Sequence, residues 1–506
     1  MIKSIDNWLN RVTMYRLVLY YLIFLLGTGI ILSLTGLLKY DVFALLFSIG
    51  FLIAVCWAVN WIFAKTFRVA ANVESVFISA LILALIISPI KTFNDLWFLG
   101  WAAILAMASK YILAINRKHI FNPVALAVAL TYFTLNQSAS WWVGNAPMLP
   151  FVLVGGILVV RKIRRFDLVL SFLGMALATS LVLSMFNGGN PVNDMQKIFL
   201  YSPLFFFAFI FVTEPLTTPP THRSRIGYGL LVGFFFSPQI HFGAFYLTPE
   251  LAILFGNVFS YLASPKTRLV LKLKEKIKVA PDIYDFIFTQ ARNFAFTPGQ
   301  YMEWTLGHDH PDVRGNRRYF TLASAPTEKT LRLGVKFYPQ SSTFKNALLK
   351  MKAGDEIVAS QLAGDFTLPE NPLQKCVLIA GGVGITPFRS MIKYLLDTHT
   401  KRSITLFYAN KTVDDILYKD VFDRAQRELG IQTIYAVTDN NHLPPAWTGT
   451  TGRITPELIK TKVPGYRHCM FYISGPKAMV DSFKETLQQI HIPASQIKTD
   501  FFSGLA

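Results

Sequence analysis

Arg318-Tyr319-Phe320-Thr321 is followed about sixty residues later by Gly381-Gly382-Val383-Gly384-Ile385-Thr386-Pro387, and then by Ser474-Gly475-Pro476. An arginine can grip a pyrophosphate through two parallel hydrogen bonds, a neighbouring aromatic ring can stack on a planar heterocycle, and a threonine hydroxyl can hydrogen-bond the reactive edge of that ring. The glycine cluster lets a dinucleotide come close to the backbone, with its phosphates facing the helix that starts at Thr386. A single glycine cluster after a strand is often only a tight turn. Three such features in this order point to hydride chemistry between a nicotinamide and a flavin.

Elements of two kinds must hold these residues. Leu271, Leu273, Ile277 and Val279 alternate, Tyr284 to Phe288 is strand-like, and Pro298-Gly299-Gln300-Tyr301 turns into another strand. A small antiparallel β-barrel is expected over 266–370. Val377 to Ala380 is a continuous apolar run that ends in glycines and leads into a helical pattern from Phe388 to Leu396. Ile404 to Tyr408 and Met470 to Ile473 are further buried strands. An α/β domain with a parallel sheet is expected over 371–506, its ligands off the carboxyl ends of the strands.

The first 265 residues differ in composition. They carry 17 of the 49 Lys and Arg and 8 of the 30 Asp and Glu, gathered in short clusters between long apolar runs. Uncharged stretches suggest about ten spans, near 17–38, 42–64, 75–90, 96–109, 120–135, 148–160, 168–186, 198–212, 226–240 and 248–264. Several fall short of the roughly 20 residues a crossing needs, as tilted, broken or half-buried helices do. Fourteen basic residues fall in loops on one side and only Lys39, Lys91 and Lys197 on the other, so the expectation is a multi-pass cell-membrane protein with both termini cytoplasmic. The first apolar run is read as a retained helix, because it is too long for a signal peptide and lacks a small-residue cleavage site. The net charge of +19 is shared by both halves and follows from the cytoplasmic loops, so no nucleic-acid partner is expected.

Over 266–506 the chain resembles the ferredoxin–NADP+ reductase family, on the strength of the three motifs above. The resemblance implies FAD held by Arg318, Tyr319, Phe320 and Thr321, with phenylalanine standing where members more often carry tyrosine. It implies a second phosphate contact at Gln340-Ser341-Ser342-Thr343-Phe344, ahead of a helix. NADH or NADPH would lie on Gly381, Gly382, Gly384, Thr386, Pro387, Gly475 and Pro476, with Ser474 in place of a frequent cysteine beside the nicotinamide. Asp500 and Phe502 resemble an acidic-aromatic terminus near the flavin, so Thr321, Ser474 and Asp500 are the catalytic candidates. A 2′-phosphate wants a compact basic cluster, whereas Lys411 stands beside Asp414 and Asp415; NADH is slightly favoured.

No metal site is expected. Cys56, Cys376 and Cys469 are scattered without iron–sulfur or zinc spacing and read as small buried apolar residues. Only His119, His222 and His241 occur in the first 265 residues, too few for the two bis-histidine haems of a ferric reductase or oxidase. His308 and His310 read as solvated loop residues. Lys118-His119-Ile120-Phe121-Asn122-Pro123-Val124-Ala125 and Val212-Thr213-Glu214-Pro215-Leu216-Thr217-Thr218-Pro219 are more informative. They resemble motifs of the D component of the Rnf electron-transport complex and the B component of the sodium-translocating NADH:quinone oxidoreductase, a likeness that spans roughly 110–260. Helix breaks at Asn122 and Glu214 leave backbone groups for a flavin phosphate or an ion, and an intramembrane carboxylate is a functional candidate. The esterifiable threonine sequence of that family is absent from the loop Asn187 to Lys197, so FMN or riboflavin is expected there without a covalent bond. The expected activity is NAD(P)H oxidation through FAD to a membrane flavin, a quinone or another acceptor. The alternatives are a flavin or ion transporter with a regulatory flavoprotein domain, and a ferric reductase- or oxidase-like transmembrane reductase.

Overall fold

Proline has no N–H to give and its ring clashes with the preceding turn, so an apolar run interrupted by proline cannot continue as one straight helix. The computed structural model describes residues 5, 8–9, 12–67, 73–115, 118–243, 245–264, 268–289, 294–309, 311–312, 315–439, 443–445 and 447–500. The chain divides into two compact units, Met1–Ser264 and Pro265–Ala506.

The first unit is helical: α1 (Met14–Leu34), α2 (Val42–Phe67), α3 (Val73–Ile86), α4 (Asp95–Ile112), α5 (Pro123–Leu135), α6 (Leu149–Ile163), α7 (Phe166–Phe186), α8 (Pro191–Tyr201), α9 (Leu204–Phe206, continuing as a π-helical turn over Phe207–Phe211), α10 (His222–Phe235) and α11 (Pro249–Ala263). Among the described residues α1, α2 and α7 are long and apolar enough to cross a membrane. The α8 and α9 segments add a fourth if that pair, bent by 59°, is one span. The expectation of about ten spans counted apolar runs alone. Prolines open α5 and α11, which have 13 and 15 residues, less than a full crossing takes.

One pattern recurs in this unit. The α4 helix, a two-residue-strand hairpin (Ala114–Ile115 with Lys118–His119) and α5 are matched by α10, a hairpin (His241–Phe242 with Phe245–Tyr246) and α11. Both closing helices begin at proline and are capped by the side chain before it. Asn122 accepts from the N–H of Ala125 at 2.9 Å, and Thr248 from that of Leu251 at 3.4 Å.

The second unit holds two sheets. Strands β1 (Arg268–Ala280), β2 (Ile283–Thr289), β3 (Tyr301–Thr305), β4 (Arg317–Thr321), β5 (Thr330–Lys336) and β6 (Glu356–Ala363) pair antiparallel in the order β4-β3-β6-β1-β2-β5. The N–H of Ala323 donates to the Arg332 carbonyl at 2.9 Å, which ties the two outer strands together and curls the sheet toward a barrel. Strands β7 (Cys376–Gly381), β8 (Ile404–Asn410), β9 (Gln432–Val437), β10 (Thr450–Thr451), β11 (Met470–Ser474) and β12 (Ile497–Asp500) form a parallel sheet in the order β10-β9-β8-β7-β11-β12. Every residue of β7 is buried, as a strand covered by helices on both faces must be. The chain leaves β7 toward β8 on one side and later returns as β11 on the other, so the carboxyl ends of β7 and β11 flank the switch point where such sheets bind ligands.

Candidate functional site

Pleating sends alternate residues of β4 to opposite faces. The Arg318 guanidinium lies 5.3 Å over the ring of Phe344, and the Phe320 ring is 6.1 Å from that same ring. Phe344 belongs to the first turn of α12 (Thr343–Lys350). The arginine and the helix start singled out as separate phosphate contacts are thus one cradle. The hydroxyls of that start are used locally. Ser341 bonds both backbone groups of Tyr338, at 2.7 and 2.9 Å, and Ser342 caps the N–H of Lys345 at 3.3 Å. Thr343 accepts from the N–H of Asp312 at 2.9 Å, and its own N–H donates to the Asp312 carboxylate at 3.1 Å. A carboxylate on that N–H shows that this helix end takes an anion. The three hydroxyls are thus engaged in shaping this helix start.

His308 is not a solvated loop residue. Its ring bonds the Leu306 carbonyl and the Thr343 hydroxyl, each at 3.0 Å, because the loop folds back on α12. His310 and Phe502 lie outside the described residues.

On the other face of β4, the Tyr319 hydroxyl donates to Glu303 at 2.9 Å. Thr321, 5% exposed, donates its hydroxyl to Asp500 at 3.2 Å. Asp500 sits opposite Ser474 in the β11–β12 ladder, and Ser474 sits opposite Ala380 in the β7–β11 ladder. The three catalytic candidates, drawn from motifs far apart in sequence, therefore meet at the carboxyl edge of the parallel sheet, next to the glycine loop.

Within that loop the glycines divide. Gly382 has φ +53° and open space where a side chain would stand, so a ligand can approach its backbone. Gly384 faces protein instead. A Cβ there would meet the Ser474 carbonyl oxygen at 2.5 Å and Gly475 backbone atoms at 2.6 Å. Its smallness packs one ligand loop against the other rather than making room for the dinucleotide. Thr386 and Pro387 open α13 (Thr386–Asp397), so the helix start faces the loop as the sequence implied. Beyond β8, the Asp415 carboxylate is bound by the N–H and hydroxyl of Thr412 at 3.0 and 2.9 Å.

In the first unit Asn122 and Glu214 touch. The Asn122 amide donates to a Glu214 carboxylate oxygen at 2.8 Å, and the Thr217 hydroxyl donates to that oxygen at 2.9 Å. The N–H of Asn122 donates to the Asn257 side chain at 2.7 Å, and the Asn257 amide donates to the Tyr228 hydroxyl at 3.2 Å. From sequence alone the N–H at this break is open for a ligand. Asn257 closes it, because unsatisfied backbone is costly in an apolar setting. The Thr218 hydroxyl, 4% exposed, lacks a hydrogen-bond partner among the described residues. A buried hydroxyl without a partner is an unmet hydrogen-bonding demand in an apolar setting. Glu250, within the stretch Pro249 to Asn257 that also resembles the family pattern, is a buried carboxylate and accepts the Trp141 indole N–H at 2.8 Å. Among the described residues no group of three or more His, Cys, Asp or Glu could hold a metal ion.

Residues 142–268 match the NQR2, RnfD, RnfE family, and residues 378–485 match the oxidoreductase NAD-binding domain. The chain is similar to NADH-cytochrome b5 reductase 1 of Aspergillus clavatus, 28% identical over 245 residues, covering 46% of this chain and 78% of that protein. The namesake protein of Aspergillus fumigatus is 29% identical over 261 residues, covering 49% of this chain and 84% of that one. Among solved structures, Amycolatopsis cytochrome P450 reductase GcoB has 25% identity and a TM-score of 0.41, covering 47% of this chain and 70% of that one.

Proposed function

We propose that this chain takes hydride from NAD(P)H in its second unit and passes the electrons to a flavin or quinone in its first. It is a membrane-bound, NAD(P)H-dependent flavoprotein oxidoreductase. The observation that carries the reading is the meeting of Thr321, Ser474 and Asp500 near the glycine loop, where Gly382 leaves open space in place of a side chain.

Arg318, fixed over Phe344, would hold the FAD pyrophosphate at the start of α12. When bound, FAD accepts hydride in one two-electron step and releases electrons singly. The Gly382 backbone and the start of α13 would hold the nicotinamide dinucleotide, and Gly475 and Pro476 would flank its ring. The hydroxyls of Thr321 and Ser474 would orient the reacting rings, and Asp500 holds the Thr321 hydroxyl in place. NADH is favoured over NADPH, because Asp414 and Asp415 accompany Lys411 where a 2′-phosphate would lie. The division into 1–265, 266–370 and 371–506 is part of this proposal, as are about ten spans with cytoplasmic termini. FMN or riboflavin held without a covalent bond is placed near Asn122, Glu214 and Thr218.

The test is NADH oxidation by the purified full-length protein, with ferricyanide and then with a short-chain quinone. Consumption with both acceptors is expected, at equal or lower efficiency with NADPH. Colourless protein that stays so after FAD is added, or NADH left unconsumed with ferricyanide, overturns the reading.

A further inference from the structure

Hydride moves only when donor and acceptor carbons lie within about 3–3.5 Å, so whatever joins the flavin strand to the nicotinamide loop sets the rate. In the second unit that joint is polar and buried. Arg389, near the start of α13 and 4% exposed, reaches back to the segment that follows β4. Its Nη1 donates to the Ala323 carbonyl at 2.7 Å and to Glu328 at 2.8 Å, and its Nη2 donates to the other Glu328 oxygen at 3.0 Å. The next residue, Ser390, donates its hydroxyl to the Ser324 carbonyl at 2.7 Å.

A second tie runs beside the first. The guanidinium of Arg389 lies 5.1 Å over the ring of Tyr418, and the Tyr418 hydroxyl donates to Asp285 of β2 at 2.5 Å. Asp285 is fully buried and also accepts from Arg332 of β5 at 2.6 Å. Ala323 and Ser324 lie two and three residues after Thr321, and Arg389 lies three residues after Thr386. Two short rigid stretches, one from each ligand site, are thus pinned at one guanidinium.

Resting on the activity proposed above, we infer that Arg389 is the positioning residue for hydride transfer, holding the nicotinamide loop against the flavin strand through Ala323, Glu328 and Tyr418. The bidentate fork fixes angle as well as distance, which an ammonium cannot do. None of these side chains needs to touch either cofactor. Their effect belongs on the hydride step and not on binding.

The experiment compares wild type, Arg389→Ala, Arg389→Lys and Tyr418→Phe as full-length protein, with NADH and NADH deuterated at the transferred position. Arg389→Ala should keep its FAD absorbance and its NADH KM within about twofold, while kcat with ferricyanide falls roughly 10- to 100-fold, the scale of an ångström-sized misplacement. Its deuterium isotope effect should exceed that of wild type. Arg389→Lys should fall between the two, and Tyr418→Phe should shift kcat and isotope effect the same way by less. Loss of FAD, a raised KM with unchanged kcat, or an unchanged isotope effect in Arg389→Ala overturns the inference. If that variant does not accumulate folded, Tyr418→Phe decides alone, and wild-type behaviour there overturns it. A wild type that leaves NADH unconsumed would instead defeat the activity on which the inference rests.

Discussion

A guanidinium laid on a phenyl ring keeps one angle, and under the proposed function Arg318, held on Phe344, would meet a pyrophosphate at the start of α12. Arg318→Ala should therefore lose most of its flavin absorbance on gel filtration while the protein stays folded. Arg318→Lys should bind FAD weakly, since it cannot reproduce the fork. The two loop glycines give different expectations. Gly382→Ala puts a methyl into open space at a left-handed φ, a strain of about 1–2 kcal/mol. It should raise the NADH KM and lower the melting temperature by a few degrees. Gly384→Ala drives a methyl into the Ser474–Gly475 backbone, so its melting temperature should fall and both loops should shift. Equal effects of the two glycine variants on NADH KM and stability would erase that distinction. The motifs were legible in the sequence because each is a set of residue types at a fixed local spacing. The destination of a side chain was not. The packing of Gly384 against the Ser474–Gly475 backbone and the local bonds of Ser341, Ser342 and Thr343 are seen only in the fold.

Elements were legible where a period dominates, as in the apolar β7 or the helix after Thr386. They were less so where a break decides. The apolar stretches 120–135 and 248–264 were legible as short segments, but not that α5 and α11 each begin at a capped proline after a hairpin. The contacts of Arg389 escaped detection for another reason, since Glu328 and Ala323 lie 61 and 66 residues away in sequence. Nothing local marks them. The pair has a pH signature. Burial pushes the Glu328 carboxyl up, but the Arg389 fork, together with the Ala325 N–H and the charge of Arg332, outweighs it and holds the carboxyl below its ordinary range. A lowered folded-state value means stability that is present above the ordinary carboxylate range and is lost as pH falls through the lowered value. With Arg389 left 5% exposed opposite a neutral amide, Glu328→Gln should cost about 3 kcal/mol at neutral pH. That gap should narrow on acidification, measured as melting temperature against pH. A gap unchanged down to about pH 3, below the ordinary carboxylate range, would mean that the pair contributes packing and not charge.

At the scale of the molecule, the proposed route takes electrons from one unit to the other, so cofactor content should divide along the chain. The second unit carries its own apolar cores around the barrel and on both faces of the parallel sheet. Each signature for FAD and NAD(P)H with a described position lies inside it. The fragment from Ser264 to Ala506 should therefore fold alone, be yellow and reduce ferricyanide with NADH. The first unit offers too few histidines for paired haems, and the three cysteines of the chain lie far apart. Under the proposed function the electron acceptor within it would be an organic carrier. Asn122, Glu214 and Thr217 make a bonded polar cluster at two helix breaks, with the Thr218 hydroxyl still to be matched. An apolar protein interior keeps such a group where something polar completes it. Purified full-length protein should accordingly yield more flavin per chain than the fragment does, all of it released by acid. Glu214→Ala should remove the excess and leave the FAD. One flavin per chain, wholly accounted for as FAD, would defeat the membrane flavin and leave a quinone reduced directly from the second unit as the surviving route.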